Sequence, residues 1–316
     1  MGYHQSLMKT GKPESRPAAN SKPLLITPKL LRRMPLPQPD EEGDKEERGR
    51  VLVVGGSREM PGAVILAATA ALRAGAGKLQ IATCRSIAQS VAVAVPEARV
   101  LALPETKAGA IAASAAEEVT ERAQYVNAVL FGPGMIDEEI VARLVGRVLP
   151  RIGKVTAILD AAALQCFKES PQCLHDLECK AIVTPHAGEM AKMMNVSKAS
   201  VTRESLVTAR EAARKFHAVV ALKGAETHIV SHNVSKTYCN RTGNVGLATS
   251  GSGDTLSGII SGLAARGATP LQAAVWGVYL HARAGDVLAK ERGRLGYLAR
   301  ELLGEVPALM AELSSG

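Results

Sequence analysis

Short apolar runs alternate with segments of helical periodicity along most of the chain, and this alternation restricts the fold more than any other feature. The runs are Arg50-Val-Leu-Val-Val54, residues 78–83, residues 99–103, Ala128-Val-Leu-Phe131, Thr156-Ala-Ile-Leu159, residues 181–183 and Val219-Val-Ala-Leu222. Most are continuously apolar, the pattern of strands buried on both faces. Between them the sequence predicts helices over 63–74, 87–95, 111–123, 138–149 and 203–216. In the fourth, Ile140, Val141, Leu144, Val145 and Val148 recur at helical spacing. Residues 227–230 and 237–239, with Asn233 in the turn, read as a strand pair. Further helices are expected from Leu256, over 271–290 behind the cap Thr269 and Pro270, and over 297–313. Strand alternating with helix along most of the chain predicts an α/β fold, with a mostly parallel sheet covered by helices on both faces. The chain has 316 residues and is 47% apolar, enough for a core of that size.

Open parallel sheets bind ligands beyond the carboxyl ends of their strands. Gly55-Gly-Ser57, Gly132-Pro-Gly134, Asp160, Thr184-Pro-His186 and Lys223-Gly224 each follow an apolar run directly. Taken singly, the glycine segments read as turns, Lys223 as a solvated cation and His186 as a loop histidine. Together with Gly251-Ser-Gly-Asp254 they predict one cleft along one edge of the sheet. The last segment opens a helix whose apolar stripe is Leu256, Ile259, Ile260 and Leu263. Glycines at a helix start let N–H groups converge on an anion, where the dipole adds to the attraction. An aspartate repels phosphate, so its presence there suggests a base acting on a hydroxyl that meets a phosphoryl group. The other reading of Asp254 is a helix N-cap.

The net charge of +8 is unevenly spread. Residues 1–39 hold seven Lys and Arg against one Glu, and residues 40–48 hold six acids against two bases. No basic stripe marks one element, and aromatics make up only 3% of the chain, which speaks against nucleic-acid binding. Cys84, Cys166, Cys173, Cys179 and Cys239 form no CxxC pair and read as reduced thiols of a cytoplasmic protein. No apolar run approaches a membrane span. Repeated prolines near the N-terminus predict a disordered extension over residues 1–26 ahead of a domain over 27–316, with a short helix after Thr27 and Pro28.

Gly55-Gly-Ser57 with Pro61-Gly-Ala63, Gly132-Pro-Gly134, Thr184-Pro-His-Ala-Gly-Glu189, Lys223-Gly224 and residues 244–254 resemble, in the same order, the NAD(P)H-hydrate dehydratase family of the ribokinase-like superfamily. The resemblance runs from about residue 27 to 313. It implies a three-layer ribokinase-like α/β fold and repair of hydrated NADH and NADPH. In that chemistry a nucleotide phosphorylates the ring hydroxyl, and phosphate then leaves. It further implies ADP as donor, with ATP the alternative, Mg2+, a homotetramer, and a separate epimerase, since the N-terminal segment leaves no room for a fused one. Carried over residue by residue, Asp254 becomes the base, and Gly251, Ser252 and Gly253 the anion hole. Lys223, Gly224, Ala225, Glu226, Thr227 and Gly253 hold the nucleotide. Ala63, Gly134, His186 and Asp254 hold the hydrated dinucleotide. Four positions depart from the family pattern. Ala162 stands where a second carboxylate is usual and Gln165 where Asn is common. Met60 replaces a frequent Tyr, and Ala187 a frequent Pro. Three other readings are a small-molecule kinase of the hydroxyethylthiazole kinase type, a degenerate nucleotide-binding protein and a nucleic-acid binder.

Overall fold

The structure is a computed structural model that describes residues 22–38, 48–175 and 180–314. Residues 1–21 of the expected extension, nearly all of the acidic run 40–48 and Cys179 lie outside the described residues.

A ten-stranded sheet forms the middle layer. In chain order its strands are β1 (Leu24–Leu25), β2 (Arg50–Val54), β3 (Lys78–Cys84), β4 (Ala98–Leu103), β5 (Ala128–Phe131), β6 (Thr156–Leu159), β7 (Lys180–Val183), β8 (Val219–Leu222), β9 (Thr227–Ser231) and β10 (Thr237–Asn240). Their spatial order is β1-β10-β9-β8-β7-β6-β5-β2-β3-β4. Pairing is parallel except where β9 runs antiparallel to β8 and β10. Every residue of β5, β6 and β8 is buried, as their unbroken apolar character requires. β1 lies within the stretch expected as extension. Leu24 and Leu25 pair with Tyr238 and Cys239 and close that edge of the sheet.

The helices are α1 (Pro28–Arg32), α2 (Pro61–Arg73), α3 (Arg85–Ala94), α4 (Ala116–Ala123), α5 (Glu138–Val148), α6 (Cys166–Glu169), α7 (Ala187–Met194), α8 (Lys198–Arg203), α9 (Ser205–Phe216), α10 (Ser252–Ala265), α11 (Pro270–Arg292) and α12 (Ala299–Ser314). α2, α10 and α11 cover one face, with α12 outside them, while α4, α5 and α9 cover the other. Together with the sheet they enclose a core made mainly of Ala, Val, Leu and Ile. Thr27 caps α1 as expected, its side chain accepting from the Leu30 N–H. The segment after α1 then straps across α11, where Trp276 Nε1 donates to the Met34 carbonyl at 2.7 Å. The sequence expected a helix over 111–123. A 3-10 turn, Ala113–Ala115, precedes α4 instead. Unforeseen was α7, which begins inside the Thr184 to Glu189 motif.

α10 and α2 approach closely enough to need glycine. A Cβ on Gly258 would stand 2.2 Å from the Ala67 carbonyl oxygen, and one on Gly262 would stand 2.3 Å from that of Ala71. This contact holds α10 against α2, and the N-terminus of α10 lies beside the strand-end residues Asp160 and Lys223. Among the described residues, no helix is long and apolar enough to cross a membrane. Cys84, Cys166, Cys173 and Cys239 are free thiols.

Candidate active site at the carboxyl edge of the sheet

Asp160 follows β6, Thr184 follows β7 and Lys223 follows β8, so neighbouring parallel strands deliver the three side by side. Asp160 is only 2% exposed. Its Oδ1 accepts hydrogen bonds from Thr184 Oγ1 at 2.8 Å and Lys223 Nζ at 2.9 Å. A buried carboxylate needs such partners. Glu189 Oε2 lies 3.9 Å from the same Nζ. Burial alone would push the Lys223 ammonium down. The carboxylates of Asp160, Glu189 and Asp254 and the hydrogen bond to Asp160 outweigh it and hold the group above its ordinary value. Lys223 is therefore a fixed cation at the mouth of the cleft.

α10 starts across from this cation. Its N-cap is Gly251, at φ 85°, and no side chain caps the helix. The positive φ favours glycine, and a Cβ there would also meet Leu66 Cδ1 at 2.5 Å. The cap reading of Asp254 is thereby corrected: Asp254 sits in the first turn, three residues past the N-cap. The first-turn N–H groups are those a helix leaves without intrahelical partners. A Cβ on Gly253 would lie 3.5 Å from Lys223 Nζ and 4.0 Å from Asp160 Oδ2, so the cation and the helix start face one point. The Asp254 carboxyl is pushed up to about 7 by burial first and by repulsion from Asp160 next, against the pull of Lys223 and of its own N–H. A carboxylate poised near neutrality suits a general base.

His186 is the N-cap of α7. Its Nδ1 accepts from the N–H groups of Gly188 and Glu189 at 2.9 and 3.2 Å, while Glu189 Oε2 takes the His186 N–H at 2.8 Å. This capping box places the Glu189 carboxylate beside Lys223 and leaves the Nε2 side of the ring at the rim. Here is the reason α7 escaped the sequence reading: the cap is a histidine ring followed by Ala and Gly, not a Ser, Thr, Asn or Asp.

On the other wall, a Cβ added to Gly134 would fall 2.9 Å from Ala63 Cβ and 2.5 Å from the Met60 carbonyl, so these two positions form one small-residue surface. Gly224, Ala225 and Glu226 are exposed along the rim leading to Thr227, and Glu226 Oε1 pairs with Arg241 Nε at 2.9 Å. Glu226, His228 and Cys239 bring one possible ligand atom each within 4.8 Å of one another. Arg241 already neutralises that carboxylate, and thiol and imidazole are not the oxygen set magnesium takes. The structure thus gathers Asp160, Lys223, Glu189, Gly253 and Asp254 into one cluster and sets Ala63 with Gly134 beside each other. Asp160 and Glu189 were visible in the sequence only as a strand-end residue and part of a motif. One further contact had no sequence signal: the Ser252 hydroxyl lies 3.0 Å from Nε2 of His281, a buried residue of α11.

Residues 51–308 match a family model described as NAD(P)H-hydrate dehydratase. An ADP-dependent (S)-NAD(P)H-hydrate dehydratase of Xanthomonas campestris is 45% identical over 291 residues, covering 92% of this chain and 97% of the relative. A bifunctional NAD(P)H-hydrate repair enzyme of Moorella thermoacetica is 40% identical, covering 89% of this chain and 53% of the relative, so the chain spans about half of that longer protein. Among solved structures, the ADP/ATP-dependent NAD(P)H-hydrate dehydratase of Bacillus subtilis, co-crystallised with ATP and Mg2+, superposes with a TM-score of 0.79 at 30% identity. That match covers 93% of this chain and 100% of the other.

Proposed function

The chain belongs to the NAD(P)H-hydrate dehydratase family, and from that membership and the cleft's geometry we propose that it restores the S-form of hydrated NADH and NADPH at the expense of ADP. The observation that carries the chemistry is Asp254, a carboxyl held near neutrality in the first turn of α10, at a helix start that no side chain caps and across from Lys223. Asp254 takes the proton of the ring hydroxyl as its oxygen forms a bond to the β-phosphorus of ADP. The bond from that phosphorus to the AMP oxygen breaks, and AMP leaves. The N–H groups around Gly251, Ser252 and Gly253 stabilise the charge on the phosphoryl oxygens, and Lys223 adds its own. Phosphate then departs with the carbon–oxygen bonding pair, driven by the ring nitrogen lone pair. Loss of a proton from the adjacent carbon restores the dihydropyridine.

Lys223, Gly224, Ala225, Glu226, Thr227 and Gly253 hold the nucleotide in this reading. Ala63, Gly134 and His186 receive the dinucleotide, whose bulk needs the small-residue wall. The carboxylates of Asp160 and Glu189 are hard oxygen donors of the kind Mg2+ takes, and Asp160 Oδ2 faces the helix start. They would hold a Mg2+ carried on the nucleotide phosphates, where the ion supplies charge neutralisation. A homotetrameric assembly, a separate epimerase partner, a cytoplasmic location and a catalytic unit over residues 27–316 complete the proposal. The test is incubation with hydrated NADH plus ADP, or plus ATP, while the NADH absorbance is followed. Recovery with release of AMP and phosphate is expected with ADP. No recovery with either nucleotide overturns the reading, and a stable phosphoester product favours a kinase instead.

A further inference from the structure

His281 lies in the middle of α11, in a stretch where every residue from Ala273 to Ala282 is buried. A polar ring is a costly occupant of such a position unless it is hydrogen-bonded. Its Nε2 stands 3.0 Å from the hydroxyl of Ser252, the residue that opens α10. Ser252 is itself 5% exposed, so the contact is sealed under the helix start and does not reach the cleft. Above it, the glycines on both sides of Ser252 have no side chains to anchor that turn. Gly251 has the positive φ, and Gly253 faces Lys223 and Asp160. The hydroxyl-to-imidazole bond is therefore, beside the Thr255 Oγ1 bond to the Gly251 carbonyl at 3.1 Å, one of the side-chain tethers on the three residues that form the anion site.

We infer that His281 is a positioning residue for the phosphoryl site: through Ser252 it holds the first turn of α10 at the angle that aims its N–H groups at the transferring phosphoryl group. The inference rests on the reading of this cleft as a phosphoryl-transfer site. Burial, together with the nearby Lys223 charge, keeps the imidazole low, at about 4, although its hydrogen bonding to Ser252 pulls the other way. The ring is thus neutral across the working range and acts on the site through its bond to the Ser252 hydroxyl, not as a charge. An aliphatic side chain would fill the same space with less desolvation cost but would leave the buried Ser252 hydroxyl without its partner, so apolar packing does not explain a histidine here. Alignment of Ser252 does.

The test uses the full chain with His281→Leu, His281→Gln, Ser252→Ala and the Ser252→Ala, His281→Leu pair. Two readouts are followed. One is kcat and KM with hydrated NADH and ADP. The other is binding of AMP with aluminium fluoride, a mimic of the transferring phosphoryl group, compared with binding of ADP. His281→Leu is expected to lower kcat about tenfold or more, below the ~10²–10³ lost when a direct anion-hole donor is removed. KM should move less than about threefold, and the melting temperature should fall modestly, because the buried Ser252 hydroxyl loses its imidazole partner. Affinity for the mimic should drop by a similar factor, with ADP affinity nearly unchanged. The double variant should be no worse than the poorer single one, because both break one tether. His281→Gln, whose amide can still bond the hydroxyl, should recover most of the loss. Wild-type kcat and mimic affinity in His281→Leu, or fully additive losses in the double variant, would overturn the inference. The mimic reports on the tether even if the hydrate proves not to be the substrate, so failure of the functional reading is told apart from failure of this one. If His281→Leu does not fold, Ser252→Ala and His281→Gln carry the same comparison.

Discussion

In the first turn of α10, Gly251 and Gly253 keep a helix start open to a cleft. Two turns further along, Gly258 and Gly262 press the same helix against the backbone of α2. Missing side chains thus do opposite things within fourteen residues. At the first turn they give access to a helix start that no side chain caps. In the middle they remove distance and bury the helix face. In the proposed reading catalysis and stability are separated along one helix, and each variant below is a way to break that separation or define it more closely.

The largest effect is expected from Asp254→Asn, which should lower kcat by roughly 10²–10⁴-fold, the usual contribution of a general base. Stability should move the other way. The native carboxyl titrates at about 7, above the unfolded carboxylate range near ~4. The native state therefore holds a proton that the unfolded chain gives up, and the group's contribution to stability falls as pH rises through that window. At pH 8 the Asn variant should melt higher than the wild type, and a thermal melt at pH 5 and pH 8 checks this. A melting point that drops at pH 8 would mean Asp254 holds the helix start together.

Lys223→Met comes next and should cross the divide. It removes the cation that faces Gly253 and leaves the buried Asp160 without its ion pair. A loss of about 10²-fold in kcat is expected together with destabilisation of about 3 kcal/mol, measured by turnover and urea denaturation. Gly258→Ala and Gly262→Ala test the other region. Each added methyl must displace α2 backbone, at about 1–3 kcal/mol, with kcat per folded molecule unchanged. If either lowers kcat without lowering stability, helix packing and site geometry are coupled more tightly than the comparison allows. The smallest effect is the pH profile. kcat/KM should rise as pH passes about 7 and Asp254 ionises, and the rise should vanish in Asp254→Asn.

The parallel architecture was legible because buried strands leave long apolar runs with helical spacing between them. β2, β5, β6 and β8 begin and end at the residues their runs predict. The site was legible as a set of strand-end residues, since parallel topology alone brings such ends to one edge. Less visible were the elements whose signals are weak or local. α7 has an unusual cap, and β1 is only two residues long and forms because β10 offers it an edge. The sequence left Asp254 open between helix cap and base. The structure decides against the cap, because the left-handed φ of Gly251 starts the helix three residues earlier.

From its sequence alone the chain determines a sheet with helices on both faces and the order in which special residues reach its carboxyl edge. Those follow from periodicity and from turn chemistry, which are local. Tertiary structure alone decides which of those residues touch and what charge they carry. Lys223 meets Asp160 across 63 residues, and His281 meets Ser252 across 29. The pKa of Asp254 is set by burial under neighbouring elements and by carboxylates from other strand ends. Desolvation and long-range pairing are properties of how helices settle on the sheet, and no window of sequence contains them.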